Sequence, residues 1–263
     1  MKKILAIGNS FSEDATKYLY QVLKEEGIAI KVVNLFIGGC SLERHWKNIE
    51  TGETAYQYQI NGILTERRVS IQEILLEESW DFIVIQQASH DSGWLDTYDP
   101  FLGLILDYLK EMFSAETEKK KKIKPEVLLH ETWAYEIGST HANFMRYHRD
   151  QKEMYERLRS CYYTMAEKYG LRLIPSGDVI QYVRKQNPFL VSKGGISLCR
   201  DGFHMSFLYG RYLLACIWAK TLFHLRVEEN NYIPESAAFQ EKVDETLIKK
   251  IRYYVDEYYE QDN

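Results

Sequence analysis

Residues 3–12 read KILAIGNSFS, and this stretch decides the fold class. Its first half is apolar without polar alternation, which is typical of a buried strand in a parallel sheet. Its second half is a tight turn. Residues 13–26 follow this turn, and their apolar positions at helical spacing predict a helix. A strand that turns directly into a helix is the opening unit of an α/β fold.

The same alternation continues along the chain. Further strands are predicted over 28–36, 81–86, 126–130 and 171–174, with helical patterns between them. Because crossovers are right-handed, we expect a three-layer α/β/α flavodoxin-like sandwich with a five-stranded parallel sheet in the order 2-1-3-4-5. Residues 42–62 are polar and aromatic without a clear period. We interpret them as an excursion within a single domain spanning 1–263, with a small hairpin around Thr51-Gly52.

The composition excludes several classes of protein. The chain of 263 residues is 45% hydrophobic and 27% charged, as in an ordinary globular domain. Its net charge of −5 gives no general attraction to nucleic acid or to an anionic membrane, so we expect neither partner. The cysteines are widely spaced, and the sequence has no CxxC or HExxH motif. We therefore predict no metal site and no cofactor.

The sequence also bears on location. No stretch approaches the roughly 20 apolar residues of a membrane helix, so we expect no membrane insertion. The apolar run at residues 4–7 is too short for the core of a signal peptide. We expect a cytoplasmic protein, an expectation that a leader removed ahead of residue 1 would change.

Two polar motifs suggest acyl-transfer chemistry. Ser10 follows the first strand, where backbone N–H groups at a helix start favour developing negative charge, so it is a candidate nucleophile. Asp201 precedes His204 by three residues, and an acid at that spacing can orient a histidine as a base. The alternatives are a helix cap at Ser10, a role for which Ser12 is the better candidate, and a plain turn at Asp201.

Donors for an oxyanion hole lie after the second and third strands. The backbone N–H groups of Ser10 and Gly39 are candidates, and a third donor is expected from Gln86, Gln87 or His90. The alternatives are that Gly39 belongs to a plain turn and that the polar side chains only satisfy loop backbone groups.

An aromatic side chain follows the fourth strand. Trp133 is a candidate wall of a substrate pocket, and a core tryptophan with a satisfied N–H is an equal alternative.

Together these segments resemble the SGNH (GDSL-type) hydrolase superfamily of lipases, esterases and carbohydrate acetylesterases. GNS at 8–10 stands for the Gly-Asp-Ser block, NLFIGG at 34–39 is similar to the second block, and DGFH at 201–204 matches Asp-x-x-His. The resemblance spans about residues 4–212. The third block departs from Gly-x-Asn-Asp: residues 85–91 read IQQASHD, with His90 in the place of the oxyanion asparagine. This Gln-rich third block, with Gly-Asn-Ser and TWAY at 132–135, resembles an uncharacterised branch.

The resemblance implies a serine hydrolase acting on an ester of a short acyl group, such as acetyl, on a carbohydrate or another small molecule. Ser10 would attack, His204 would act as base and Asp201 would orient it. For the oxyanion hole we expect Ser10 and Gly39, with Gln87 or His90 as the third donor. For substrate contact we expect Trp133 and Gln86, from their positions after strands. Two other functions stay open: a flavodoxin-like module that binds a phosphate or cofactor at residues 8–12, and a carbohydrate-binding homologue without activity.

Overall fold

The computed structural model describes residues 1–120, 124–235 and 243–261, including all of their side chains except those of 115–120. The strands are β1 (Lys2–Gly8), β2 (Ile30–Phe36), β3 (Tyr56–Ile60), β4 (Ile63–Val69), β5 (Phe82–Ile85), β6 (Glu126–His130) and β7 (Arg172–Ile174). The helices are α1 (Ser10–Thr16), α2 (Leu19–Glu25), α3 (Leu42–Thr51), α4 (Ile71–Glu77), α5 (Phe101–Lys120), α6 (Gln151–Tyr169), α7 (Ser176–Val183), α8 (Tyr209–Phe223) and α9 (Glu245–Gln261).

The described strands form one sheet of seven in the order β4-β3-β2-β1-β5-β6-β7. Strands β2, β1, β5, β6 and β7 are parallel, so that Ile4 of β1 pairs with Val32 on one side and Phe82 on the other. The prediction of an α/β fold with a parallel sheet between helices is confirmed. The prediction of five strands is wrong, because β3 and β4 extend the sheet beside β2 in antiparallel pairing.

The additional hairpin replaces the one predicted at Thr51-Gly52. Residues up to Thr51 form α3, and Gly52, at φ +63°, ends it in the left-handed conformation. The hairpin turn lies instead at Asn61-Gly62, where both residues have positive φ, as a two-residue turn of this hand requires. Strand β4 is mostly exposed at the edge of the sheet. It therefore lacks the apolar alternation that identifies a half-buried strand.

The helices form two groups. Helices α1, α2 and α9 contact α8, and most residues of α8 are buried. Helix α3 contacts α4 and α5 in the other group. Because β1, β2, β5, β6 and β7 run in one direction, the segments that follow them meet at a single edge of the sheet. That edge carries the candidate site.

The described residues carry neither a membrane span nor a metal cluster. No helix in those ranges has the length and apolar character needed to cross a bilayer. The same ranges contain no group of three or more His, Cys, Asp and Glu side chains arranged to hold a metal ion. The four cysteines are buried free thiols.

The β3–β4 turn predicts a strong effect of a single methyl group. Gly62 has φ +78°, and an added Cβ would lie 2.1 Å from the Lys17 carbonyl oxygen. Gly62→Ala should therefore lower the free energy of unfolding by about 2–4 kcal/mol in urea titrations, through left-handed strain and the clash. Gly52→Ala is the control. It has a similar φ of +63° but no described atom within 4 Å of the new Cβ, so only the strain of about 1 kcal/mol is expected. Equal losses would contradict this account.

Candidate active site

The turn after β1 is held by the side chain of Asn9. Its Oδ1 accepts the Phe11 N–H at 3.0 Å, so Asn9 is the N-cap and α1 begins at Ser10. The expectation that Ser12 is the cap is wrong, because the Ser12 hydroxyl faces the Asn9 carbonyl oxygen at 2.8 Å and Asn34 Oδ1 at 2.7 Å. As the first residue of the helix, Ser10 has a backbone N–H without an intrahelical partner.

Ser10, His204 and Asp201 form a hydrogen-bonded row. The Ser10 hydroxyl lies 2.8 Å from His204 Nε2, and His204 Nδ1 lies 2.7 Å from Asp201 Oδ2. Because a carboxylate only accepts, Nδ1 carries a proton, and in the neutral ring Nε2 then accepts the Ser10 hydroxyl proton. This tautomer is assigned from the hydrogen-bond network, and it is the one that a general base needs.

The carboxylate of Asp201 is fixed from two sides. Its Oδ1 accepts the backbone N–H groups of Phe203 at 3.2 Å and of His204 at 2.8 Å. Burial pushes the pKa of Asp201 upward, but the hydrogen bonds from the His204 ring and from these N–H groups outweigh it, so the pKa lies below its ordinary value. Both side chains are partly exposed, 39% for Asp201 and 20% for His204. A substrate can therefore reach the row from solvent.

A chain of buried hydrogen bonds runs beneath the Ser10 turn. The Ser176 hydroxyl lies 3.0 Å from His130 Nε2, and His130 Nδ1 lies 2.8 Å from Gln86 Oε1. Gln86 Nε2 donates to Asn9 Oδ1 at 2.8 Å, and Asn9 Nδ2 donates to the Cys40 carbonyl oxygen at 3.0 Å. Burial lowers the pKa of His130 to about 3, so its ring is neutral and can accept from Ser176. Gln86, predicted to contact substrate, is instead a buried link in this chain.

Gln87 braces two loops. Its Oε1 accepts the N–H groups of Leu42 at 3.0 Å and Ala88 at 2.8 Å, and its Nε2 donates to the carbonyl and hydroxyl oxygens of Thr97 at 2.8 and 3.1 Å. The side chain is fully buried. With its amide engaged in this way, the structure does not place Gln87 as an oxyanion donor. Its contacts match the alternative stated for the sequence, in which the side chain satisfies backbone groups of the loops.

Gly39 and His90 lie toward solvent. Gly39 is exposed with φ +61°, and no described atom lies within 4 Å of where a Cβ would be. The bond from Asn9 to the carbonyl of Cys40 ties this turn to that of Ser10. The His90 ring is 29% exposed and lies 3.4 Å from Asp91. Burial, followed by the charges of His90 and His204, lowers the pKa of His141.

Trp133 lies in the core and not on a pocket wall. It is fully buried, and its ring stacks on Phe11 with centroids 4.1 Å apart. Its indole N–H donates to the Phe203 carbonyl oxygen at 2.7 Å. Trp133 therefore joins the residue after Ser10 to the residue before His204, and supports the site from behind.

Residues 3–249 match the family DUF4886, a domain of unknown function, and the chain belongs to that family. A DUF4886 protein from Bacteroides uniformis of known crystal structure is 35% identical, with 97% of this chain and 93% of that chain covered and a TM-score of 0.83. No curated protein matches the sequence.

More distant structures share the fold. A protein from Slackia heliotrinireducens described as a candidate SGNH hydrolase is 22% identical, with 84% of this chain and 98% of that chain covered and a TM-score of 0.50. A catalytic mutant of Axe2, an acetylxylan esterase from Geobacillus stearothermophilus, is 15% identical, with coverages of 89% and 97% and a TM-score of 0.52. At these identities the likeness is one of fold.

Several supporting residues carry little signal in the sequence. Asn9 stands inside a motif that points to Ser10 and not to Asn9 itself, and His130 is only the last residue of a predicted strand. Asp14 is fully buried on α1, and one feature of the sequence points to it. It follows Ser10 by four residues and therefore shares its helix face.

The network around Asn9 predicts that an aspartate is unfavourable at this position. In Asn9→Asp the donor to the Cys40 carbonyl is lost, and a carboxylate oxygen faces that carbonyl in a buried site. We expect the free energy of unfolding to fall by about 1–3 kcal/mol at neutral pH, measured by urea titration. The loss should shrink in acid, where a protonated carboxyl can donate. An Asn9→Asp variant as stable as the wild type at neutral pH would contradict the network.

Proposed function

We propose that this chain is a serine hydrolase that cleaves an ester of a short acyl group. One observation carries the proposal: the Ser10 hydroxyl lies 2.8 Å from His204 Nε2, and the opposite ring nitrogen lies 2.7 Å from Asp201. A hydroxyl, a neutral imidazole and a carboxylate in this order constitute an activated nucleophile.

The proposed reaction has two stages. In the first, Ser10 Oγ attacks the ester carbonyl while His204 Nε2 takes its proton, and His204 then gives that proton to the departing alcohol. In the second, His204 Nε2 takes a proton from water as the water oxygen attacks the acyl carbon. The bond between that carbon and Ser10 Oγ then breaks, the carboxylic acid leaves, and His204 gives the proton to Ser10 Oγ. Asp201 stabilises the imidazolium in both stages. Its lowered pKa keeps it ionised while His204 changes charge.

The oxyanion is held by backbone donors in this proposal. The Ser10 N–H is available at the start of α1, and the Gly39 N–H lies in an exposed turn that is tied to Asn9. With Gln87 bonded to Thr97 and two backbone N–H groups, His90 is the third donor that we propose. Each such donor contributes to charge stabilisation as the tetrahedral intermediate forms.

The proposed substrate is an acetyl group or another short acyl group on a carbohydrate. The proposal is supported by the fold shared with an acetylxylan esterase and by the open position of the row. His204 and Asp201 are partly exposed, so a bulky alcohol such as a sugar can approach Ser10 without the protein opening.

The two alternatives fit the contacts less well. A phosphate cradle uses free N–H groups of the first helical turn, but Asn9 Oδ1 already accepts the Phe11 N–H. An inactive carbohydrate-binding homologue would not need the hydrogen bonds that orient Asp201, His204 and Ser10.

The nucleophile is tested by Ser10→Ala. We expect wild-type protein to hydrolyse p-nitrophenyl acetate and to be labelled at Ser10 by a fluorophosphonate. The variant should lose both properties, with kcat reduced by at least about 10³-fold because residual triad-free catalysis is small. Ser12→Ala is the control, since Ser12 points at Asn9 and Asn34, and it should keep labelling at Ser10. Turnover by Ser10→Ala at the wild-type rate would rule the mechanism out.

The third oxyanion donor is tested by His90→Ala. Loss of one donor should lower kcat for p-nitrophenyl acetate by about 10²-fold. His148→Ala is a matched control, because His148 is exposed and bonded to Glu153, and its kcat should be unchanged. If both variants retain wild-type kcat, the oxyanion is held without His90.

A further inference from the structure

Asp14 is a buried carboxylate one helical turn after Ser10. Its side chain is fully buried, and residues four apart share one face of a helix. Its partners come from a segment close to 190 residues further along the chain. Oδ1 accepts from Arg200 Nη1 at 3.0 Å and from Arg211 Nε at 2.7 Å, and Oδ2 accepts the Met205 N–H at 2.9 Å.

Arg200 and Met205 immediately flank the segment that carries Asp201 and His204. The Arg200 N–H donates to the His204 carbonyl at 3.0 Å, and the Arg200 side chain also donates to the Met205 carbonyl. A β-bridge between Cys199 and Met205 closes the base of the loop. Residues 200–205 therefore form a closed loop, which we call the histidine loop. Both of its ends are hydrogen-bonded to the carboxylate of Asp14.

These contacts make a short connection between Ser10 and His204. From the serine it runs through one turn of α1 to Asp14, and from there through hydrogen bonds to both ends of the histidine loop. Opposite charges strengthen this connection, because the Asp14 carboxylate is paired with the guanidinium groups of both Arg200 and Arg211. Without the carboxylate, both guanidinium groups would lose the negative charge that they share.

We propose that Asp14 is a positioning residue that sets the distance between Ser10 and His204. It acts through the loop, and the inference rests on the proposed serine-hydrolase function. A displacement of about 1 Å between reacting groups can cost about 10²-fold in rate. Loss of Asp14 should therefore reduce the chemical step while leaving substrate binding almost intact.

The test is Asp14→Asn, which keeps the size of the side chain and removes its charge. In the full chain, kcat for p-nitrophenyl acetate should fall by about 10²-fold while KM changes by less than about twofold. Fluorophosphonate labelling of Ser10 should slow in proportion. A folded Asp14→Asn protein with wild-type kcat would overturn the proposal.

Asp178→Asn is the matched control for a general loss of stability. Asp178 is also a buried carboxylate on a helix, bonded to Arg159, Tyr155 and Tyr163, and these partners lie outside α1 and residues 200–205. This variant should be destabilised and yet keep wild-type kcat in the folded state. If kcat in the two variants falls in step with their melting temperatures, Asp14 has a structural role alone and the proposal fails.

Two further measurements keep the test decisive. A crystal structure of Asp14→Asn should show the Ser10 Oγ to His204 Nε2 distance beyond hydrogen-bonding range, and an intact contact would overturn the proposal whatever the activity.

If Asp14→Asn does not fold, Arg200→Met removes one loop contact at a partly exposed side chain. It should lower kcat by about 10-fold at unchanged KM, and an unchanged kcat would overturn the proposal. Absence of turnover in the wild type, by contrast, contradicts the proposed function itself.

Discussion

The site depends on holding two segments 194 residues apart at hydrogen-bonding distance. The sheet brings them to one edge, because parallel strands deliver each following segment to their carboxyl ends. That placement alone leaves several ångströms of freedom, whereas proton transfer between a hydroxyl and an imidazole needs about 3 Å. The remaining freedom is removed by contacts behind the site: Asp14 to both ends of the histidine loop, and Trp133 between Phe11 and the Phe203 carbonyl.

The buried polar chain from Ser176 to Cys40 explains why this chain has an asparagine in its first block. Gln86 presents a donor to Asn9 Oδ1, and the Cys40 carbonyl presents an acceptor to Asn9 Nδ2. An amide offers both functions at once, whereas an ionised carboxylate of the same size only accepts. Burial keeps the His130 ring neutral, so that Nδ1 donates to Gln86 Oε1 and Nε2 accepts from the Ser176 hydroxyl. Buried networks of this kind favour one arrangement strongly, since each unpaired member would carry a desolvation cost.

The sequence predicted the parallel strands because strands buried on both faces read as continuous apolar runs. It did not predict β3 and β4, since an exposed edge strand such as ILTERRV carries no such run. Ser10 is a candidate from the sequence because it follows the first strand at a helix start, and His204 is one because Asp201 precedes it by three residues. For Gln86, Gln87 and Trp133 the sequence was ambiguous. A polar or aromatic side chain at a strand end can face a cleft or satisfy buried backbone groups, and only tertiary packing decides between them.

The two glutamines that distinguish residues 85–91 from Gly-x-Asn-Asp are both buried in contacts with neighbouring loops. Gln86 holds the turn that carries Ser10, and Gln87 holds the start of α3, just beyond Gly39. Each glutamine thus fixes one loop that bears a proposed backbone oxyanion donor. A side chain that braces a loop in the core cannot at the same time bind a substrate oxygen. Residues 86 and 87 therefore contact two neighbouring loops, while the ring of His90 stays partly exposed.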